Sequence, residues 1–248
     1  MNISLAAEPL FHLGQFVVTN SLLVALLVGG LFIILALVFA SRQLQAVPTG
    51  LQNFLETIVE AAIEFMESIT GSRERAVRFF PLVGTIFFFV LLSNWFGLFP
   101  GVGSVGLREV HNGVPTIIPF LRSASADLNG TLAIALVSVL GTQIFGIATI
   151  GFFKHASKYL NFHNPILFFV GLLELVSEVS RVISFSFRLF GNVFAGEVLL
   201  IVVSALVPYL APLPFLLLEV FVGFVQALVF SLLTLVFLSI ATVEHAEH

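Results

Sequence analysis

The chain has 248 residues, of which 58% are hydrophobic and 10% are charged, and its long uncharged runs of helical length predict an integral membrane helix bundle rather than an outer-membrane barrel. A formal net charge of -4, with ten dispersed Lys and Arg residues, provides no basic face for nucleic acid. The sequence contains no cysteine, which excludes disulfides, thiolate metal sites and a cysteine nucleophile.

The first predicted elements are an outer segment, residues 1–15, and a membrane span, residues 16–40. The span is long enough to cross about 30 Å of hydrocarbon. Because no Lys or Arg precedes it, the basic region of a signal peptide is missing, and we expect the span to remain in the mature protein.

Residues 48–71 follow a different pattern, in which acidic residues recur every three or four positions opposite an apolar side. The pattern predicts an amphipathic helix on the cytoplasmic membrane surface. Its acidic face is interpreted either as a solvated surface or as a docking site for a partner subunit. The acidic residues are Glu56, Glu60, Glu64 and Glu67.

A second span is predicted at residues 79–99, followed by a loop at residues 101–127 that is rich in Gly and Pro. The loop begins with the spacing G-x-G-x-x-G, which indicates a dinucleotide site only where it joins a strand to a helix in a βαβ unit. Here it follows a membrane span and leads into more loop, so we interpret it as a flexible turn. Its glycines are Gly101, Gly103 and Gly106.

Three more spans, residues 128–153, 165–207 and 215–243, precede a polar tail at residues 244–248. A helix over residues 165–207 is expected to be about 64 Å long, twice what a crossing needs. We therefore predict an all-α integral membrane protein with five crossing helices and one amphipathic interfacial helix. Residues 1–248 are expected to form a single membrane domain, in which the last two helices are strongly tilted to suit a partner surface.

Basic residues set the expected orientation, because Lys and Arg concentrate in cytoplasmic loops. Six of them lie in residues 42–78 and 154–158, whereas two lie in residues 101–127. This bias predicts that the N-terminus lies outside and the C-terminus lies in the cytoplasm.

Charged and polar side chains follow one face of the helix predicted over residues 165–207, because their spacing tracks the helical period. An arginine near mid-membrane costs about 2.5 to 3.5 kcal/mol on insertion scales, so such residues usually mark ion or substrate pathways. The face carries Glu174, Glu178, Arg181, Arg188 and Asn192.

Two further carboxylates lie on either side of the turn between the last two helices, one near the end of the first helix and one near the start of the second. Glu197 is on the other side of a straight helix, about 13 Å beyond Arg188, and Glu219 shares a face with Gln226. The expected topology puts Glu197 and Glu219 outward of Arg188. Arginine stays protonated whereas a buried glutamate can exchange protons, so the pattern predicts two proton-accessible regions separated by a fixed positive charge. The alternative is a set of structural ion pairs that fix helix register.

The sequence around the central arginine resembles the signature of subunit a of the F-type rotary ATP synthase. The resemblance covers most of the chain. The residues that carry it are Arg188-Leu189-Phe190-Gly191-Asn192, Ala195-Gly196-Glu197, Ala126-Asp127-Leu128-Asn129, Gln226-Ala227 and the short polar tail.

This resemblance implies a stationary proton-translocating subunit of the synthase membrane sector, which packs two slanting helices against a rotating ring of c subunits. It implies that Arg188 attracts each ring carboxylate in its ionised form and blocks leakage between two offset half-channels. The implied pathway residues are Glu197 and Glu219 in the outer half-channel, Asn192 and Gln226 beside the arginine, and Glu174 and Glu178 in the inner route.

The resemblance also implies that the chain is no enzyme on its own and binds no cofactor, metal or nucleotide. Its implied partners are the c-ring, the subunit b stator stalk and other synthase subunits. The implied location is an energy-transducing membrane, the bacterial inner membrane, with the N-terminus in the periplasm. Proton and sodium versions of the family share the arginine, so the ion stays open.

Two positions depart from the family pattern. Some members have histidine where this chain has Glu219. If Glu219 and Glu197 approach each other, their repulsion is expected to leave a shared proton suited to a relay. Gly97 stands where some relatives have an acidic residue, which leaves the contribution of the second span to the pathway open.

Competing interpretations remain for isolated residues and for the chain as a whole. The histidines are interpreted as interfacial or loop residues, and the tail E-H-A-E-H as a solvated terminus instead of a metal site. A self-contained secondary transporter normally shows internal repeats, and none is found here; a structural membrane scaffold is the third class. The histidines concerned are His12, His111, His155 and His163.

Overall fold

A computed structural model describes residues 7–41, 49–99, 105–111, 114–159, 165–207 and 210–242. Within these ranges the chain forms seven α-helices and two antiparallel β-hairpins. The helices are α1 (Asn20–Ser41), α2 (Leu51–Thr70), α3 (Arg73–Phe96), α4 (Leu128–Ile150), α5 (Phe152–Tyr159), α6 (Pro165–Leu206) and α7 (Pro212–Thr242). The strands are β1 (Pro9–Leu13), β2 (Phe16–Thr19), β3 (Gly106–His111) and β4 (Val114–Pro119).

Five of these helices, α1, α3, α4, α6 and α7, are long and apolar enough to cross a membrane. The prediction of an all-α integral membrane protein is therefore confirmed. With 42 residues α6 is about 63 Å long, and with 31 residues α7 is about 46 Å long. Both helices exceed the thickness of the hydrocarbon layer, about 30 Å.

Helix α2 is amphipathic, as the acidic pattern predicts. Ile63 and Met66 are buried in an apolar cluster that also contains Phe79 of α3 and Leu235 of α7. The helix ends at Gly71, whose φ of 67° is the left-handed conformation that glycine adopts without a steric penalty.

Two regions that were expected to be a membrane span or a loop contain β-hairpins. Residues 16–19, placed in the first span by hydropathy, form strand β2, because Val17, Val18 and Thr19 are β-branched residues that favour extended backbone. The loop predicted at residues 101–127 contains the hairpin of β3 and β4, and Gly106 of the glycine motif is the first residue of β3. Gly101 and Gly103 lie outside the described residues.

The third span ends earlier than hydropathy suggests. Gly151, with a φ of 93°, separates α4 from the short helix α5. Its N–H donates to the carbonyl of Ile147 at 2.9 Å, while its own carbonyl accepts from the N–H of His155 at 3.0 Å. The left-handed glycine therefore ends one helix and starts the next, although Phe152 and Phe153 continue the apolar run.

Contacts between Cα atoms divide the chain into two compact units. The first contains the described residues of 1–48, 87–131 and 187–228, and the second those of 49–86, 132–186 and 229–248. In the first unit the buried apolar residues include Val24, Val28, Val90, Leu189 and Val193. The second unit is built on the apolar cluster described for α2.

Candidate functional site

In the first unit, Arg188 and Asn192 lie one turn apart on an exposed face of α6. The other exposed residues nearby are uncharged, and they include Ser184, Phe187 and Gly191. The buried side of the same segment carries Leu189. An exposed arginine in a helix that crosses a membrane is costly in lipid, so this face is suited to contact with a protein partner.

Glu197 of α6 pairs with an arginine that the sequence does not single out. The Nε and Nη2 atoms of Arg122 donate to Glu197 Oε2 at 3.1 and 3.0 Å. The Arg122 side chain is 7% exposed and that of Glu197 is 32% exposed. Two charge-assisted hydrogen bonds to one oxygen fix this carboxylate against the segment that precedes α4.

The segment from Arg122 to Asp127 is packed against several parts of the first unit. Ala124, Ser125 and Ala126 are nearly inaccessible to solvent. The Asp127 carboxylate accepts a hydrogen bond from the hydroxyl of Ser21 in α1 at 2.9 Å. These contacts explain how a residue in a predicted flexible loop acquires a defined position.

Glu219 of α7 is in a different environment. Its side chain is 7% exposed, and its carboxylate lies so close to the backbone of Gly196 that a Cβ at that position would overlap it. Among the described residues, no hydrogen-bond partner accompanies this carboxylate. Because Gly196 directly precedes Glu197, the carboxylate of Glu219 lies against the part of α6 that carries Glu197. The surroundings of the two carboxylates differ.

The end of α3 contributes polar groups beside α7. The side chain of Asn94 donates to the carbonyl of Gly223 at 3.2 Å, and Trp95 Nε1 donates to the carbonyl of Val220 at 3.1 Å. The Ser93 hydroxyl and the Asn94 side-chain oxygen are buried without a protein partner among the described residues. Such buried oxygens can bind water. Gln226, further along α7, is half-buried.

Gly97, the position where some relatives carry an acid, has a structural role. A Cβ built on it would lie 2.9 Å from the Ser123 side chain and 3.0 Å from the Ser123 nitrogen. The small residue therefore allows the segment after Arg122 to pack against the end of α3. A side chain at this position has no room without a shift of that backbone.

In the second unit, Glu178 and Arg181 form a salt bridge within α6 at 2.9 Å. The Arg181 guanidinium also lies 3.6 Å from the centroid of the Phe237 ring, a distance typical of a cation–π contact. Glu174, one turn before Glu178, is half-buried. Glu178, one of the two carboxylates predicted for the inner route, is therefore already paired with a cation.

A hydrogen-bonded group on α4 and α5 lies near these carboxylates. Gln143 Oε1 is 2.7 Å from His155 Nε2 and accepts a hydrogen bond from the Tyr159 hydroxyl at 3.1 Å. Burial raises the pKa of the Tyr159 phenol above its ordinary value, and the charges of Glu178 and Glu174 raise it further. Sequence reasoning missed this group, because Gln143 lies within an apolar run.

The isolated histidines have different outcomes. His155 is buried and hydrogen-bonded within helix α5, so it is not a loop residue, and its interfacial position stays a prediction. His12 is exposed on β1. His163 and the tail at residues 244–248 lie outside the described residues. Within the described ranges, no group of three or more His, Asp or Glu side chains could hold a metal ion.

Comparison with known proteins gives the family. The family model described as ATP synthase A chain matches residues 22–239. ATP synthase subunit a of Campylobacter jejuni subsp. jejuni serotype O:23/36 (strain 81-176) is 36% identical over 221 residues, which cover 88% of each chain. ATP synthase subunit a of Gloeobacter violaceus is 37% identical over 244 residues, which cover 97% of this chain and 88% of that protein. The protein therefore belongs to the ATP synthase subunit a family.

Proposed function

We propose that this chain is the stationary proton-translocating subunit of an ATP synthase membrane sector. Family membership supports a role in the membrane part of that complex. The observation that carries the finer proposal is the exposed position of Arg188 on an otherwise uncharged face of α6. Such a surface suits a rotating ring of small subunits that presents carboxylates in mid-membrane, and we propose the c-ring as this partner.

Arg188 separates two access routes in this proposal. It attracts each ring carboxylate in its ionised form, and its permanent charge repels a proton that would otherwise pass directly between the routes. The outer route contains Glu197 and Glu219, with Asn192 and Gln226 beside the arginine. The buried polar oxygens at the end of α3 support a hydrated outer path.

The inner route contains Glu174 and Glu178 in the second unit. The salt bridge between Glu178 and Arg181 supports this assignment, because it keeps two charges within an apolar helix. We propose that protons pass between the ring and the cytoplasm here. The length of α6 and α7 supports strong tilting along the ring.

The remaining parts of the proposal follow from the family and the charge pattern. The chain is not an enzyme by itself, and ATP chemistry takes place in other subunits. It contacts the subunit b stator stalk and lies in a bacterial inner membrane. The excess of Lys and Arg in residues 42–78 and 154–158 supports a periplasmic N-terminus and a cytoplasmic C-terminus.

The test is Arg188→Ala in the assembled synthase. We expect proton-driven ATP synthesis in membrane vesicles to be lost, because the ring carboxylate has no fixed counter-charge and the two routes are no longer separated. Arg75→Ala, which removes an exposed arginine near the start of α3, is the matched control and should leave synthesis unchanged. Immunoblotting of the purified complex checks assembly, and normal synthesis by an assembled Arg188→Ala complex contradicts the proposal.

The same preparation distinguishes the competing classes. A structural scaffold predicts unchanged proton flux after neutral substitutions at both Glu197 and Glu219. A self-contained transporter predicts substrate-coupled uptake by the chain reconstituted without other subunits. A sodium-translocating version predicts that synthesis driven by a sodium gradient persists when the proton gradient is collapsed.

A further inference from the structure

The outer carboxylates form a pair with unequal surroundings. Arg122 donates two hydrogen bonds to Glu197, whereas Glu219 lies buried against the backbone of Gly196 without a hydrogen-bond partner among the described residues. An adjacent guanidinium stabilises a carboxylate in its charged form. A buried carboxyl group that lacks such a partner is more easily neutralised by a proton.

The position of Arg122 is set by its surroundings. The backbone after it is held by hydrogen bonds from Ser125 N to Ser123 Oγ at 3.2 Å and from Ala126 N to the Ser123 carbonyl at 3.0 Å. Gly97 of the turn after α3 leaves space for Ser123, and Asp127 is anchored to α1 by its hydrogen bond with Ser21. The packing of this segment against α1 and against the end of α3 therefore places Arg122 next to Glu197.

We propose that Arg122 is a positioning residue that fixes the carboxylate of Glu197 through two hydrogen bonds, so that Glu219 is the group that binds and releases the proton in the outer route. This inference rests on the proposed function. A proton arrives from water, binds to a carboxylate oxygen of Glu219 and leaves to a carboxylate of the rotating ring. The transfer requires no other reactant.

This assignment differs from a proton shared equally by the two glutamates. Two carboxylates share a proton equally only when their surroundings are alike. The guanidinium of Arg122 donates to Glu197, so the surroundings of Glu197 and Glu219 differ. The charged residues of the first unit include Arg122, Asp127, Glu219 and, on the same helix as Glu197, Arg188. Asp127 is occupied by its hydrogen bonds with the Ser21 hydroxyl and the Asn129 N–H.

The experiment measures ATP-driven proton pumping by the assembled synthase in inverted membrane vesicles, from about pH 6 to about pH 9. Arg122→Gln should lower pumping roughly tenfold near neutral pH and shift its pH profile, because Glu197 is left without its fixed counter-charge and competes for the proton. Arg122→Lys retains the charge and should keep the wild-type profile. Arg73→Gln breaks an exposed ion pair with Glu60 and is the matched control, expected to change nothing.

The double variant Arg122→Gln with Glu197→Gln is the decisive measurement. Because it removes both charges together, it should restore pumping to within about threefold of wild type and restore the pH profile. Glu219→Gln should lower pumping more than tenfold even with Arg122 and Glu197 intact. These two variants test the inference even if Arg122→Gln alone does not assemble.

Three results overturn the inference. They are a normal pH profile in assembled Arg122→Gln, a double variant as defective as the single one, and normal pumping by Glu219→Gln. None of them concerns Arg188, so the role proposed for Arg188 stands if Arg188→Ala still abolishes synthesis, although normal pumping by Glu219→Gln removes Glu219 from the proposed outer route. Loss of the Arg188 requirement instead removes the basis for both proposals.

Discussion

The two Arg–Glu pairs that involve α6 are built in different ways. Glu178 and Arg181 are three residues apart on one helix, and Arg181 also contacts the ring of Phe237. Arg122 and Glu197 are 75 positions apart, and their pair depends on the packing of the segment before α4. The first pair follows from helical periodicity, whereas the second exists only in the folded chain. The comparison teaches that the group controlling a carboxylate need not lie near it in sequence.

The largest expected effect comes from disturbing the close packing around the remote pair. Gly196→Ala places a methyl group on the carboxylate of Glu219, so this carboxylate must leave its position against α6. The end of the Glu219 side chain can move without a shift of the backbone, so the main expected effect is on proton transfer. We expect the variant to reduce ATP-driven proton pumping at least about tenfold, measured in vesicles.

Gly30→Ala in α1 is the matched control, because a Cβ there meets nothing within 4 Å. This control should assemble and pump normally. Wild-type pumping by Gly196→Ala contradicts the close approach of Glu219 to this glycine. In that case the unequal environments of the two outer glutamates lose their structural basis.

A second prediction compares the stability that the two pairs provide. Glu197→Gln should destabilise the purified complex by roughly 2 kcal/mol, below the range for a fully buried pair because Glu197 is 32% exposed. Glu178→Gln should cost about 1 kcal/mol or less, because Arg181 keeps its contact with Phe237. The measurement is the thermal unfolding transition of the complex, monitored by the release of this chain.

The control for this comparison is Glu178→Gln combined with Phe237→Leu, which removes both contacts of Arg181. Its loss should approach that of Glu197→Gln. If Glu178→Gln alone is as damaging as Glu197→Gln, the distinction between a locally supported and a remotely supported pair is wrong.

The smallest expected effect concerns Tyr159 in the second unit. Burial raises its pKa above the ordinary value of 10.0, so the folded chain favours the neutral phenol. The stability from this preference is fully present below about pH 10 and is lost as the pH rises through the raised pKa. Tyr159→Phe should remove this alkaline component of instability, while the lost hydrogen bond to Gln143 costs about 1 kcal/mol near neutral pH.

Tyrosinate absorbance during alkaline titration checks this expectation as a difference between variant and wild-type complexes. The chain has only two tyrosines, so Tyr209→Phe is the matched control and should leave the high-pH step in place. An unchanged titration in Tyr159→Phe contradicts the buried, carboxylate-facing environment of the phenol.

Much of the fold could be predicted because the responsible forces are local. Apolar runs of sufficient length fix the five candidate spans, and the acidic period of residues 48–71 fixes the amphipathic α2. Boundaries were predicted less well. Phe16–Thr19 is apolar enough to continue a span but pairs with β1, and Gly151 interrupts an apolar run by adopting a left-handed conformation.

Some features of the candidate site could also be predicted from the sequence, and others could not. The periodicity of α6 brings Arg188 and Asn192 to one exposed face, and the roles given to them remain a proposal. The partner of Glu197 could not be predicted, because Arg122 lies in a loop whose path depends on contacts with α1 and α3. The only sequence signal was the position of Arg122 just before the stretch Ala126–Asn129 that carries part of the family resemblance.

The sequence by itself determined the class of the protein, its family and the polar face of α6, because hydropathy, helical period and a distinctive motif are properties of neighbouring residues. Tertiary structure alone decided which outer glutamate receives a counter-charge and which is buried against a glycine backbone. These environments depend on long-range packing of Arg122 and of α6 against α7. Electrostatic interactions and burial depend on which groups are close in space, and this cannot be read from the separation of residues along the chain.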